Sequence, residues 1–151
     1  MAAVVWIQRI ELPAPGIEQM QAEARCEGYQ FLQTLVSEWV SGENRFDAAG
    51  EILCGHLAQG VLVAVGGLNC DPFLADRRVG RIRRLYVRRA WRNKGIGGAL
   101  LDTLLGVARQ SFGSVRLRAE NPQAARLYER KGFIQLPSAT ATHILHFHGN
   151  R

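Results

Sequence analysis

Apolar residues recur at intervals of three and four along three stretches of the chain, a spacing typical of amphipathic helices. The first stretch, residues 17–40, is divided by Gly28 into two predicted helices. The second follows a glycine-rich segment and ends before Gly113. The third begins at Asn121, an N-cap residue followed by proline, and ends at Gly132. The pattern therefore predicts four helices.

Shorter apolar-rich or alternating runs predict seven strands. Gln59-Gly60 joins two of these runs as a hairpin. With the helices, they follow the order strand, two helices, three strands, helix, strand, helix, two strands. That order predicts an α/β fold with a single mixed, mostly antiparallel central sheet flanked by helices, in one domain over residues 1–151. The predicted strands are residues 4–10, 52–58, 61–68, 79–87, 115–119, 133–136 and 143–147.

Length and composition fit an ordinary soluble globular domain. Hydrophobic residues make up 47% and charged residues 21% of the 151 residues, which excludes a largely disordered chain. No run approaches the length of a membrane span, and the first twelve residues lack a signal-peptide pattern. The three cysteines form no CxxC motif, so neither a disulfide framework nor a zinc knuckle is predicted. We therefore expect a reduced, cytoplasmic protein.

The charge is basic and is dominated by arginine. Nineteen Lys and Arg residues face 13 Asp and Glu residues, for a net charge of +6, and 17 of the 19 are arginine. Five of the arginines fall within residues 77–84. Because guanidinium groups bind phosphates and carboxylates, this composition favours an anionic partner, either a phosphorylated cofactor or nucleic acid.

The segment 92–99, Arg-Asn-Lys-Gly-Ile-Gly-Gly-Ala, is a candidate phosphate site. It follows a predicted strand that ends in Leu-Tyr-Val, and it opens a helix, where unpaired N–H groups and the helix dipole attract anions. Arg92 and Lys94 add positive charge. No GxxxxGK[ST] motif is present, and no GxGxxG follows the first strand, so a P-loop and a dinucleotide fingerprint are excluded. A plain turn is the alternative interpretation of this segment by itself.

A second motif, N-x-x-A-x-x-L-Y-x-x-x-G-F, lies at residues 121–133. The RxxGxG segment after an LYV strand, followed by this motif, resembles the GNAT superfamily of acetyl-CoA-dependent N-acetyltransferases. The resemblance spans about residues 81–133, and the upstream order of elements agrees with it. It implies transfer of acetyl from acetyl-CoA to a primary amine of a small molecule or peptide, by direct attack on the thioester.

The resemblance also implies roles for the matching residues. Residues 85–87 would bind the pantetheine arm and polarise the thioester carbonyl, and residues 92–99 would hold the pyrophosphate. Asn121 would contact the cofactor arm, and Tyr128 would be the general acid for the leaving thiolate. Without the resemblance, Tyr128 would be interpreted as a buried aromatic residue. The implied cofactor-binding residues are Leu85, Tyr86, Val87, Arg92, Asn93, Lys94, Gly95, Ile96, Gly97, Gly98, Ala99, Asn121 and Tyr128.

The general base is not identified by the sequence. In many GNAT enzymes a glutamate early in the strand matching residues 79–87 takes the proton of the amine. Here the corresponding residue is Arg81, which cannot act as a base at neutral pH. This departure keeps open a catalytically inactive, acyl-CoA-binding sensor of the same fold. By residue type, the candidates for the base are Glu120, Asp71, Glu51 and His56.

Arg81 and Arg83 are candidates for substrate binding. Strand alternation predicts that both lie on the same face as Leu85 and Val87, where a bidentate contact could hold a carboxylate of the acceptor. The alternative is that they point to solvent or pair with acidic neighbours. Phe46, which follows the second helix, is a further candidate for substrate contact, with packing in the core as its alternative.

Metal, nucleic-acid and membrane partners are not expected. Strand alternation predicts that His146 and His148 share one face and that His143 lies on the other. No acidic or cysteine ligand lies nearby in the sequence, so no metal site is predicted. Aromatic residues do not interleave with the arginines as base stacking requires, which makes a small basic nucleic-acid-binding domain the weaker alternative. The acceptor amine stays open, as does the choice between a monomer and a homodimer.

Overall fold

The computed structural model describes residues 5–148, which form a seven-stranded sheet with helices on both faces. The order across the sheet is β1-β2-β3-β4-β5-β7-β6, in which β4 and β5 are parallel and all other neighbours are antiparallel. The predicted fold class and the predicted order of elements are confirmed. The strands are β1 (Gln8–Arg9), β2 (Ile52–Ala58), β3 (Val61–Cys70), β4 (Val79–Val87), β5 (Ser114–Leu117), β6 (Ile134–Gln135) and β7 (His143–His146), and the helices are α1 (Ile17–Cys26), α2 (Phe31–Ser41), α3 (Ile96–Ser111) and α4 (Pro122–Arg130).

Local turn chemistry accounts for several of these boundaries. Gln59 and Gly60 have φ angles of 53° and 79°, so the β2–β3 hairpin closes through a two-residue turn with both residues in the left-handed region. The Asn121 side chain accepts a hydrogen bond from the Ala124 N–H at 2.8 Å and caps α4. The outer strands are shorter than predicted, since β1 pairs only through Gln8 and Arg9, and Val4 lies outside the described residues.

Two hydrophobic cores lie on opposite faces of the sheet. Leucines of α3 pack with Tyr128 of α4 on one face, and α1 and α2 pack on the other. Phe46 belongs to the second core and is 1% exposed, with its ring against Gly67, where a Cβ would overlap it. The structure therefore places Phe46 in the core, which was the alternative interpretation, and leaves it no surface for a substrate.

A β-bulge interrupts β4 in its middle. Gly67 pairs with Arg83 and Val65 pairs with Tyr86, so two residues of β4, Arg84 and Leu85, face the single residue between them on β3. Arg84 has a φ of 60°, which accommodates the extra residue. The extra residue reverses the alternation, because Ile82 and then Leu85 and Val87 pack against α3. The prediction that Arg81 and Arg83 share a face with Leu85 and Val87 is therefore wrong.

The parallel strands β4 and β5 pair at only three positions, ending with Arg81 opposite Arg116. Both guanidinium groups contact Asp71 Oδ2, at 3.3 Å from Arg81 Nη1 and 3.4 Å from Arg116 Nε, and all three side chains are buried. Beyond this cluster the strands separate, since β5 ends at Leu117 while β4 continues to Val87. A gap therefore opens in the sheet beside the bulge.

Three features are absent from residues 5–148: a helix able to cross a membrane, a disulfide bond and a cluster of potential metal ligands. His143 is buried in β7, where its Nε2 lies 2.8 Å from Glu129 Oε2. Its Nδ1 lies 2.8 Å from the Thr142 hydroxyl. Both ring nitrogens thus have partners inside the protein.

Candidate active site

A cleft of about 1030 Å³ passes through the gap between β4 and β5. Its walls come from both faces of the sheet, with Tyr29 and Phe31 on the α1/α2 side and the first turns of α3 and α4 on the other. The volume is within the range of small-molecule sites. Its lining residues are Glu27, Tyr29, Phe31, Leu85, Tyr86, Val87, Trp91, Arg92, Asn93, Gly95, Ile96, Gly97, Gly98, Glu120, Asn121, Pro122, Gln123, Ala124, Arg126, Leu127, Tyr128 and Arg130.

The glycine-rich segment forms the start of α3, as predicted. Gly95 occupies the N-cap position at φ 82° and offers no side-chain cap, and the Ala99 N–H bonds back to the Gly95 carbonyl oxygen at 3.0 Å. The amides of residues 96–98 therefore precede the first intrahelical bond, and these three residues line the cleft. Of the thirteen predicted cofactor-binding residues, eleven line the cleft, and Lys94 and Ala99 do not.

Arg92 has a partner that the sequence did not reveal. Its Nη1 and Nη2 donate to the Glu27 carboxylate at 3.0 and 2.7 Å, its Nε donates to the Val87 carbonyl oxygen at 2.9 Å, and its guanidinium lies over the Tyr86 ring. A bidentate pair of this kind is strong and directional. In the structure Arg92 therefore ties the β4–α3 connection to the end of α1.

Glu23, one turn before Glu27, reinforces this attachment. Its carboxylate accepts a hydrogen bond from the Arg89 N–H at 2.9 Å and lies 3.4 Å from Arg88 Nε. The Tyr86 hydroxyl lies 2.7 Å from Glu23 Oε2 and 2.6 Å from Glu27 Oε1, so it donates its one proton to one or other carboxylate. Burial and these carboxylates raise the pKa of Tyr86, which keeps the phenol protonated.

Tyr128 lies on α4 with its side chain buried at the wall of the cleft. Its ring packs edge-on against Phe133, with 5.9 Å between ring centroids. Burial raises the pKa of Tyr128, and the negative charge of Glu120 raises it further. The phenol therefore stays protonated at neutral pH and is a donor within the cleft.

Asn121 and Tyr29 connect opposite sides of the cleft. The Asn121 Nδ2 donates to the Tyr29 hydroxyl at 2.9 Å, while its Oδ1 caps α4. Both polar atoms of the predicted cofactor contact thus have partners inside the protein. Sequence reasoning missed Tyr29 and Phe31, because nothing local marks the connection between α1 and α2 as part of the site.

The candidate bases separate clearly by position. Asp71 is buried between two arginines, Glu51 accepts a hydrogen bond from the Cys70 N–H at 2.9 Å, and His56 Nδ1 lies 2.9 Å from the Trp6 carbonyl oxygen. None of these three lines the cleft. Glu120 does, and it has no ion pair within 4 Å among residues 5–148.

The two candidate substrate arginines differ in their surroundings. Arg81 is buried, pairs with Asp71, donates from Nη2 to the Thr140 carbonyl oxygen at 2.6 Å and lies over the Phe73 ring. Arg81 therefore pairs with an acidic neighbour, which was the alternative interpretation of this residue. Arg83 is half-buried, and its Nη1 donates to Asn69 Oδ1 at 3.3 Å.

The family model described as the acetyltransferase (GNAT) family matches residues 17–133 of this chain. The chain belongs to the GNAT acetyltransferase family. The matched region contains both sequence motifs, the bulged strand and every residue that lines the cleft. No curated protein matches the sequence significantly.

Solved GNAT structures are similar to this one over nearly their whole length. A protein from Exiguobacterium sp. 255-15, provisionally assigned as an acetyltransferase, is 27% identical with a TM-score of 0.85, over 95% of this chain and 94% of that one. Ard1 from Thermoplasma volcanium is 21% identical with a TM-score of 0.65, over 94% of each chain. A GNAT acetyltransferase from Brucella melitensis was solved in complex with acetyl-CoA. It is 16% identical with a TM-score of 0.71, over 98% of this chain and 91% of that one.

The attachment of α1 in this GNAT protein should be sensitive to acid. Hydrogen bonding from Arg92 lowers the pKa of Glu27 to about 2 from an ordinary value of 4.5. A carboxyl whose folded pKa is depressed stabilises the fold above its unfolded pKa, and that stabilisation disappears as pH falls from about 4.5 to about 2. We expect the melting temperature of the wild type to fall more steeply across this window than that of Glu27→Gln.

Glu43→Gln is the matched control, because Glu43 is exposed and has no ion pair among the described residues. Its pH profile should follow the wild type. Parallel profiles for Glu27→Gln and the wild type would contradict the assigned ion pair.

Proposed function

We propose that this GNAT protein is an N-acetyltransferase, active as one domain over residues 1–151, that transfers acetyl from acetyl-CoA to a primary amine. The observation that carries the proposal is the cleft through the sheet, which joins the amide-rich start of α3 to the buried phenol of Tyr128. The bound acetyl-CoA of the Brucella melitensis relative, which shares the fold, supports the choice of donor.

The residues present fit a pyrophosphate-bearing donor. Gly95, Gly97 and Gly98 keep side chains away from the start of α3, where unpaired amides and the helix dipole attract phosphate oxygens. Residues 85–87 have no partner strand on the side of β5, so their backbone is available to the pantetheine arm. Acetyl-CoA supplies an activated thioester, and backbone N–H groups aimed at its carbonyl would stabilise the negative charge that develops there.

Tyr128 acts at the leaving sulfur in this proposal. The raised pKa opposes full transfer of the phenol proton to a thiolate, whose ordinary pKa is about 8.5. Tyr128 is therefore a hydrogen-bond donor that stabilises the departing thiolate, and solvent completes the protonation. Its hydroxyl has no hydrogen-bond partner among residues 5–148, so it is available for this contact.

Glu120 is the residue we assign as the base. An attacking amine must lose a proton, and Glu120 is the cleft carboxylate that no arginine or lysine holds within 4 Å among residues 5–148. Glu120 and Tyr128 both line the cleft, and the negative charge of Glu120 contributes to the raised pKa of Tyr128. The proton leaves the amine for the carboxylate and passes from there to solvent.

Acetyl-CoA should stabilise the protein in a thermal-shift titration. Ligand at about 100 times its dissociation constant adds about 2.7 kcal/mol to the free energy of unfolding. Gly97→Leu should abolish this shift, because the new side chain fills the cleft beside Val87 and Leu127. Gly106→Leu is the matched control on the same helix, at an exposed position with open space around it, and it should keep the shift. No shift at millimolar acetyl-CoA would refute the donor assignment.

Tyr128→Phe should lower kcat while leaving the affinity for acetyl-CoA nearly unchanged. Loss of a hydrogen-bond donor to negative charge that develops in the transition state typically costs about 10²- to 10³-fold in kcat. The measurement is release of CoA with the fastest acceptor of an amine panel, under conditions where chemistry limits the rate. Because the hydroxyl has no partner within residues 5–148, the melting temperature should not change, which separates catalysis from folding. An unchanged kcat would contradict the catalytic role and leave Tyr128 as a buried aromatic residue that packs in the core.

Glu120→Gln should lower kcat/KM in a pH-dependent way. At neutral pH an alkyl amine is mostly protonated, since its pKa is near 10, so removal of the base should cost about 10²- to 10⁴-fold. The deficit should shrink as pH rises, because solvent then supplies neutral amine. Glu18→Gln, an exposed change at the start of α1, is the control. A deficit that does not vary with pH would reject Glu120 as the base, and binding of acetyl-CoA without turnover of any amine would favour the sensor.

A further inference from the structure

Positive charge exceeds negative charge where the gap opens on the α1/α2 face of the sheet. Two carboxylates lie among the arginines there: Asp71 contacts Arg81 and Arg116, and Glu38 Oε1 lies 3.3 Å from Arg84 Nη2. An acceptor that reaches the cleft from this side meets a field that favours anions and repels polyamines. The arginines around this end of the gap are Arg81, Arg83, Arg84, Arg116 and Arg118.

Arg83 is the β4 arginine that has no carboxylate partner. Arg81 and Arg84 both have one, whereas no carboxylate lies within 4 Å of Arg83 among residues 5–148. Its side chain is nevertheless half-buried. Glu38 and Asp71 act on this guanidinium only from beyond 4 Å, where they pair with Arg84 and with Arg81. A guanidinium taken partly out of water without a direct ion pair is unfavourable, and an anion that binds to it recovers part of that free energy.

A hydrogen-bond network through two asparagines orients the Arg83 side chain. Asn69, which is 4% exposed, accepts its Nη1 hydrogen bond. Asn69 in turn exchanges two amide hydrogen bonds with Asn44, at 2.9 and 3.0 Å. Asn44 Oδ1 also accepts a hydrogen bond from the Phe46 N–H at 3.0 Å, which anchors the pair to the core. This arrangement orients a planar donor in advance, as bidentate recognition of a carboxylate requires.

Arg83 lies directly before the bulge in β4. It precedes Leu85 by two residues, and Arg84, with a φ of 60°, stands between them. The bulge directs Arg83 to the α1/α2 face and Leu85 to the α3 face, on the two sides of the gap. Arg83 does not itself line the cleft, but an anion bound to it lies on the strand immediately before residues 85–87, which do.

We propose that the acceptor carries a carboxylate close to its reacting amine, and that the Arg83 guanidinium binds this carboxylate. The inference rests on the proposed function, since it names the class of acceptor for the same cleft. Arg83 takes no part in proton transfer. Arg81 and Arg116 hold the sheet together around Asp71 and do not contact the substrate.

The first experiment compares acceptors that differ only in the charge of one group. Glycine, β-alanine and 4-aminobutyrate are each paired with the corresponding amide, and kcat/KM is measured by release of CoA. If the carboxylate makes a charge-assisted contact, kcat/KM of the wild type should be about 10- to 100-fold higher for the acid than for its amide at one of the three distances between amine and carboxylate. A peptide with an amidated C-terminus and no free carboxylate should react as slowly as these three small amides. Equal rates for acid and amide at every spacing, or a preference for spermidine, would overturn the proposal.

The second experiment assigns the preference to Arg83. Arg83→Gln should abolish it, and Arg83→Lys should retain part of it, because lysine keeps the charge but loses the fork of donors. Arg109→Gln changes the net charge equally on exposed surface of α3, and it should keep the full preference. A preference for the acid that survives in Arg83→Gln would reject Arg83 as the binding residue.

A binding measurement covers the case of slow turnover or of a variant that folds poorly. In the presence of CoA, N-acetylglycine and its longer homologues should raise the melting temperature of the wild type and of Arg83→Lys more than their amides do. Equal shifts for acids and amides would overturn the inference. Absence of any shift with acetyl-CoA itself would instead refute the proposed function, so the two failures are distinguishable.

Discussion

Asp71 places one buried carboxylate between Arg81 and Arg116, the last two residues through which β4 and β5 pair. Two arginines opposite each other on neighbouring strands repel, and a buried guanidinium without a counter-ion is strongly destabilising. Asp71 offsets this repulsion, so β4 and β5 can pair in parallel as far as Arg81 and Arg116. The strands separate immediately beyond it, and the cleft occupies the gap that results. The location of the site thus depends on where this ion-pair cluster lies.

The bulge decides which side chains face each side of that gap. One additional residue in β4 turns Leu85 and Val87 towards α3 and leaves Arg83 and Tyr86 on the face of α1 and α2. A regular strand would have directed Arg83, Leu85 and Val87 to one face. A single change in backbone register thereby separates an apolar wall on the α3 side of the gap from a cationic surface on the α1/α2 side.

Helix α1 contributes to the site although it lies far from the motifs in sequence. Glu23 and Glu27 hold the β4–α3 connection through backbone and side-chain hydrogen bonds. The bidentate pair between Arg92 and Glu27 is the contact that lowers the pKa of Glu27 most. Because the arginine side chains of the connection pair with α1, the anion binding proposed for the start of α3 depends on backbone amides. Backbone donors cost no side-chain ordering when a ligand binds, which favours a rigid site.

Local features of this protein were determined by the sequence alone. The helical periodicity, the Gln59-Gly60 turn and the Asn121 cap depend on neighbours within about four residues, and the two glycine-containing motifs indicated the family and most of the cleft wall. The pairing of Arg92 with Glu27 joins residues 65 apart in the chain, and the bulge appears only when β4 is set against β3. Such features depend on partners that periodicity cannot specify, so the tertiary structure alone decided them.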